Sequence, residues 1–382
     1  MKNFLPVLLA GAFAVGLVGS ISLTAGVRVS LLDVGVSVFL LYCAWQQRTK
    51  KRVFPPLWPP IIAFGAAGLA SILINAGGLP QFAQGAGLLY LVRFLWYAAL
   101  YWAAASGTFS QASLLGALWG SGVAIAVLGL VQYVLYPDLR NLYYLGWDPH
   151  YQRLFSTLLD PNFTGIVLVL SILAGCSLYL KGKKVQIFAI AGQLILFAAL
   201  LLTYSRSSYA AFVAAGVIAA FFTVRLRKFL AVLLGVFIIL VVLLPKTGEG
   251  RNLLREASVS ARVTNMRTGL ELFSRSPIVG YGFNTLRYLS AIPTGPIISN
   301  AASGFDAIVV FVLATGGLVG FSPFFWPIWQ MVRLGKKDIW YLAALGAVVI
   351  HSLFVNSFFY PWVMAFVWIW TGTIRASRDA RS

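Results

Sequence analysis

Apolar runs close to bilayer length recur from one end of the 382-residue chain to the other, separated by short polar connections. A transmembrane helix needs about 20 such residues. On that criterion spans are expected at roughly 5–26, 29–46, 57–76, 85–106, 113–136, 157–180, 185–203, 207–223, 229–245, 305–331, 338–357 and 359–374. The last two could form one broken hairpin. The pattern predicts an all-α polytopic membrane helix bundle of about 12 transmembrane helices, with residues 1–382 as a single integral-membrane domain. The first run is longer than a signal-peptide core and has no convincing cleavage site, so it is read as a span. One long interruption, 246–304, is expected to be an external loop within that domain. Its middle has an apolar stripe, Val263, Met266, Leu270 and Phe273, that predicts a short amphipathic helix with Ser258 or Ser260 as cap. The turn-rich segment RSPIVGYGFN, 275–284, ends that helix. Such a helix either lies in the membrane interface or forms a lid over the bundle.

Composition agrees with the pattern. Hydrophobic residues make up 60% and charged residues 10%, where a soluble surface needs about 25% charged. The formal net charge of +19 first suggests nucleic acid, but its distribution excludes that partner. Lys2, Arg48, Lys50, Lys51, Arg52, Lys181, Lys183, Lys184, Arg225, Arg227, Lys228, Arg333, Lys336, Lys337, Arg375, Arg378 and Arg381 account for 17 of the 29 basic residues. All fall on one side of the predicted spans. The positive-inside rule then places both termini in the cytoplasm. The opposite, external side holds ten arginines and only one lysine, Lys246. Arginine is the side chain suited to two-point recognition of phosphate or carboxylate. Cys43 and Cys176 are expected as free thiols, and no metal-binding or nucleotide-binding motif is present. Arg93 and Asp33 lie inside spans and are expected to pair, because an isolated charge in lipid is costly.

Three spans start on the external side with polar chemistry at the helix end. In RLFSTLLDPNFTG, Asp160 is a good N-cap, Pro161 suits the first helical position, and Arg153 lies just upstream. In LTYSRSSYAAF, Ser205 or Ser207 can cap and Arg206 sits on the start. In SNAASGFDAIVVFVLATGGLVG, the span begins near Ser303, with Asp306 expected in its first turn. A helix N-terminus beside an arginine favours a phosphate. Taken singly, each piece also reads as a plain cap or a snorkelling arginine. Taken together, they predict an external anion site. His351, in the eleventh span, and His150, in WDPHYQR, are further candidates, though a lone histidine also reads as a packing residue.

At these residues the chain resembles the O-antigen ligase and polymerase superfamily of membrane glycosyltransferases. RLFSTLLDPNFTG is similar to its Arg…Pro-Asn segment and LTYSRSSYAAF to its Ser-Arg element. SARVTNMRTGLELFSRSPIVGYGFNTL is similar to its loop pattern, and ATGGLVG to its glycine-rich closing motif. The resemblance implies a metal-independent, cofactor-free glycosyltransferase of the bacterial cytoplasmic membrane, with its active site facing outside. Its donor would be an undecaprenyl-pyrophosphate-linked glycan, its acceptor a glycan, lipid or protein. Arg153, Arg206 and Arg262 would bind the pyrophosphate. Asp160, Asn162, Ser205, Arg267 and His351 would support the site. Many ligases carry a histidine eleven residues before the second glycine of the closing motif. Here that position is Asp306, the natural replacement base, and its presence favours polymerase or other lipid-linked glycan transfer over a lipid A–core ligase. The competing readings are a peptidoglycan polymerase of the shape and division type, and a secondary transporter or lipid flippase. Polar features gathered at one face, with no visible repeat, disfavour transport.

Overall fold

The computed structural model describes residues 4–24, 27–49, 55–179, 187–248, 250–253, 256–289 and 305–379. Lys2, Lys50, Lys51, Arg52, Lys181, Lys183, Lys184, Ser303 and Arg381 lie outside the described residues. Within them the fold is nearly all helix. The helices are α1 (Phe4–Val15), α2 (Leu31–Gln47), α3 (Trp58–Ile74), α4 (Gln81–Ala105), α5 (Gln111–Leu135), α6 (Pro161–Tyr179), α7 (Ile187–Leu202), α8 (Arg206–Phe222) and α9 (Arg227–Leu243). After α10 (Glu256–Arg275) come α11 (Ile308–Gly335), α12 (Ile339–Ser352) and α13 (Pro361–Asp379). Five helices are long and apolar enough to cross a membrane by length and composition: α4, α5, α6, α11 and the stretch Val224–Leu243 containing α9. Six others are apolar but shorter.

Burial sorts these helices. α6 is buried on almost every side, packed by α5, α7, α8 and α12, whereas α9 exposes most of its apolar surface. α13 lies along α4, and α11 along α3. The core is continuous through the bundle and rich in aromatic side chains. The expected intramembrane pair is present: Arg93 Nε lies 3.1 Å from Asp33 Oδ1. Asp33 also closes a capping box at the start of α2, where Ser30 accepts from the Asp33 N–H and donates to its carboxylate.

Two expectations need correcting. The first apolar run is not one helix to residue 26. α1 ends at Val15, and after a 3-10 turn the chain forms an antiparallel hairpin of β1 (Ser20–Thr24) and β2 (Val27–Ser30). The alternation in SISLT and VRVS is the strand period, and it overrides the average hydropathy of the run. The second correction concerns α10. It starts at Glu256, so Ser258 and Ser260 lie inside the helix rather than capping it. Its expected stripe is turned outward at Val263, Met266 and Leu270, which are exposed, while Gly269 and Leu272 pack inward.

The Pro-Ile-Val-Gly-Tyr-Gly loop and the Thr-Gly-Gly segment form one lock. α11 is broken at Gly317, with φ +57° and ψ −159°. The loop threads into this break: Tyr281 and Gly282 N–H donate to the carbonyls of Ala314 and Thr315 at 3.0 Å. In return, Leu318 and Val319 N–H donate to Pro277 and Ile278 at 2.9 and 3.1 Å. Ser71 Oγ on α3 ties both sides, lying 2.5 Å from the Val279 carbonyl and 2.7 Å from that of Thr315. The lock fixes where α10 leaves the bundle and what the chain after Gly282 presents to the interior.

Candidate functional site

A cavity of about 530 Å³ opens where the α1–α2, α5–α6, α9–α11 and α12–α13 connections meet. Its charged lining comprises Arg28, Asp33, Arg93, Asp148, Asp160, Arg262, Arg287 and Asp306. Asn162, Asn265, Asn356 and Tyr360 add polar groups. The side-chain oxygens of Asn265, Asn356 and Tyr360 are buried, and none has a hydrogen-bond partner among the described residues. Acceptors and hydroxyls left open in a concave wall suit a polyhydroxylated ligand. Phe163 stacks on Tyr360 with ring centroids 3.9 Å apart, forming an aromatic wall.

Asp160 is the N-cap of α6, as its sequence suggests. Oδ1 accepts from the N–H groups of Asn162 and Phe163 at 2.6 and 3.1 Å. Oδ2 lies 3.7 Å from His150 Nε2. Burial acts to raise the Asp160 pKa, but His150, the backbone donor and Arg153 outweigh it and hold the carboxyl at about 2. Both oxygens are thus committed to structure. Asn162 accepts from Ser205 Oγ at 2.9 Å, and Ser205 caps α8 by accepting from the Ser208 N–H.

Asp306 lies in the cavity, ahead of α11 rather than in its first turn. The cap position is Ala307, with no side-chain cap bond. Its carboxylate is half exposed and sits 3.9 Å from Arg262 Nε on α10. Burial raises its pKa, Arg262 opposes, and the charge on Asp160 adds to the rise.

The three expected pyrophosphate arginines separate. Arg262 lines the cavity. Arg206 begins α8, donates to the Leu253 carbonyl at 3.1 Å and lies near enough to Arg262 for their charges to repel. It is outside the cavity lining. Arg153 is only 5% exposed and donates to the Thr203 and Tyr204 carbonyls at 2.9 and 3.2 Å. That geometry makes it a clamp on the α7–α8 turn, because a helix C-terminus leaves carbonyls that need donors. Arg267 is exposed on α10 and outside the lining. His351 is fully buried behind the site, within 3.1 Å of Ser207 and Ser208 Oγ and 2.6 Å from Ser357 Oγ.

Several lining residues escaped helix-start reasoning. Arg28 sits in the hairpin, Arg287 in a 3-10 turn, and Asp148 in the α5–α6 loop. Asp148 has the most displaced carboxyl on the wall. Burial first, then Asp160 and Asp306, push it up to about 7. Unfolded, it titrates near 4, so between about pH 4 and 7 the folded chain binds that proton more tightly and loses stability as pH rises. Asp148→Asn is therefore expected to raise the melting temperature relative to wild type at pH 8 and to have little effect at pH 4. An equal shift at both pH values contradicts this. Asp148, His150 and Asp160 bring one ligand atom each within 4.8 Å of one another, the one group among the described residues that could hold a metal ion.

A comparison with curated proteins gives no match. A family model described as O-antigen ligase matches residues 191–325, which run from α7 into α11 and include Arg206, Arg262, Asp306 and both halves of the glycine lock. The apolar helices together with this match support a multi-pass membrane protein with a ligase- or polymerase-type role in surface-glycan biosynthesis. The chain is similar, over that segment, to the O-antigen ligase and polymerase superfamily.

Proposed function

We propose that the cavity joins sugars, moving a glycan from an undecaprenyl-pyrophosphate-linked donor to an acceptor hydroxyl on the external face of the cytoplasmic membrane. The observation that carries this reading is the Asp306–Arg262 pair at 3.9 Å inside a cavity with open sugar-type partners, both residues belonging to the matched segment. Asp306 takes the proton of the acceptor hydroxyl, whose oxygen attacks the anomeric carbon. The bond from that carbon to the pyrophosphate oxygen breaks, and undecaprenyl pyrophosphate leaves with the electron pair. Arg262, with Arg206 nearby, offsets the charge gathering on the diphosphate. Arg153 positions Arg206 by holding the turn before α8. The same reading takes twelve spans, cytoplasmic termini and 246–304 as an external loop folding α10 over the cavity. The acceptor is a second lipid-linked glycan, a lipid or a protein.

Pyrophosphate is a good leaving group once its charge is offset, so the step uses neither metal nor nucleotide. A chelator is expected to leave the transfer rate of purified protein in liposomes within about twofold of the untreated rate. A loss restored by Mg²⁺ or Mn²⁺ would instead overturn the metal-free step, and Asp148, His150 and Asp160 would be the first group to substitute. A second reading, with Asp148 as base, is favoured by its place on the same wall and its elevated pKa. It predicts a rate that rises with pH through about 7 and a limb that disappears in Asp148→Asn.

A further inference from the structure

The cavity carries more positive charge than the transfer step uses. Arg262 is paired with Asp306. Arg93 is paired with Asp33, whose carboxylate also accepts from Ser30 and from Tyr97 at 3.0 Å. Arg28 and Arg287 line the same cavity, and among the described residues neither lies within ion-pair distance of a carboxylate. Arg287 is buried, at 7% exposure, with the cavity beside it. It hydrogen-bonds Tyr288. Arg28 donates Nη2 to the Leu145 carbonyl at 2.7 Å and lies over the Trp147 ring at 4.2 Å. That carbonyl occupies one of the five N–H donors of a guanidinium. The two charges repel each other. Buried charges are ordinarily kept in pairs with opposite sign. Here two like charges line one cavity, and among the described residues the carboxylate nearest in the fold to β2, Asp33, is already paired with Arg93.

We propose that Arg28 and Arg287 form a second anion-binding subsite in the cavity, separate from the Arg262–Asp306 pair, which takes an oxyanion of the lipid-linked glycan. Two guanidiniums lining one cavity suit a carboxylate or a phosphate better than a neutral sugar. The indole beneath Arg28 holds that fork in place and presents a flat face next to the anion. The oxyanion is either the diphosphate or a carboxylate on an acidic sugar. Assigning it to a glycan rests on the transfer reading, whereas the subsite itself does not. The hairpin thereby gains a purpose: β2 carries Arg28 to the wall, and the turn after the glycine lock carries Arg287 to the same cavity.

The test is calorimetric titration of the purified full-length chain with inorganic pyrophosphate and, separately, with glucuronate. Wild type is expected to bind at least one. Arg28→Gln should weaken that Kd at least tenfold, and Arg28→Lys, which keeps the charge, should weaken it less. Arg28 is partly exposed, so its variants carry the measurement, with unchanged melting temperature as the folding control. Arg287→Gln is scored only if it melts as wild type does. Loss of pyrophosphate binding alone identifies the diphosphate; loss of glucuronate binding identifies an acidic sugar. If neither probe binds wild type at millimolar concentration, or if Arg28→Gln binds as wild type does, the subsite is refuted. Intact anion binding in a protein that transfers nothing would sink the transfer reading and leave the subsite standing.

Discussion

Asp306→Asn is expected to lower glycan transfer by about two to four orders of magnitude, the usual contribution of a positioned general base. The amide is close in size to the carboxylate it replaces, so folding should be little changed. Asp306 makes no helix cap, and its described charge partner is Arg262 at 3.9 Å. The loss should therefore fall on kcat, with donor binding near wild type, because the base acts on the acceptor hydroxyl and not on the diphosphate. Arg262→Gln should show the reverse emphasis, weakening donor binding and also freeing Asp306 from its cation. The carboxyl of Asp306 then titrates higher, since the opposing charge is gone. A pH profile shifted upward in Arg262→Gln, next to a flat and very low profile in Asp306→Asn, is the expected signature.

Substitution at the glycine lock should be the most damaging change to structure. Gly317 has a backbone conformation essentially reserved for glycine, and a Cβ there would lie 2.3 Å from the Ile278 carbonyl oxygen. Gly280, with φ +64°, would place a Cβ 2.5 Å from the Thr315 carbonyl carbon. Backbone strain of roughly 1–3 kcal/mol and overpacking of roughly 1–3 kcal/mol add at each site, and neither neighbour is a side chain that can swing away. Gly317→Ala and Gly280→Ala should each lower stability by about 2–6 kcal/mol on that sum, measured as a fall in melting temperature in detergent. Transfer should fall with it, since the lock sets Arg262, Phe283 and Arg287 around the cavity. Gly77→Ala is the control: nothing lies near its Cβ direction, and it should melt as wild type does.

What the sequence disclosed follows the range of the physics involved. Asp160 and Ser205 were legible as caps because capping joins residues two or three apart. The Arg93–Asp33 pair was legible because two charges in apolar runs have few other partners. The hairpin was not, since short alternating segments inside an apolar stretch average out to the hydropathy of a span. The glycine lock joins residues 33 positions apart (281 to 314, 282 to 315) and 41 apart (277 to 318, 278 to 319) through backbone bonds, which no periodicity reports. Arg153 had the right composition for anion binding and the wrong surroundings: the carbonyls it holds belong to a turn whose path depends on α6 and α8 packing. Arg28, Asp148 and Arg287 were visible only as charges on one side of the chain. Their convergence needed the tertiary fold.

The central claim is that this cavity transfers a lipid-linked glycan. It is tested most directly by reconstituting the purified chain in liposomes with a lipid-linked oligosaccharide and an acceptor, without metal or nucleotide. Wild type, Arg206→Ala and Asp306→Asn would be compared after matching insertion and melting temperature. Wild type is expected to transfer, and both variants to lose most of the rate. Full activity in Asp306→Asn would move the base to Asp148. A wild type that transfers nothing but carries labelled lipid across the bilayer would contradict the account and make the protein a transporter.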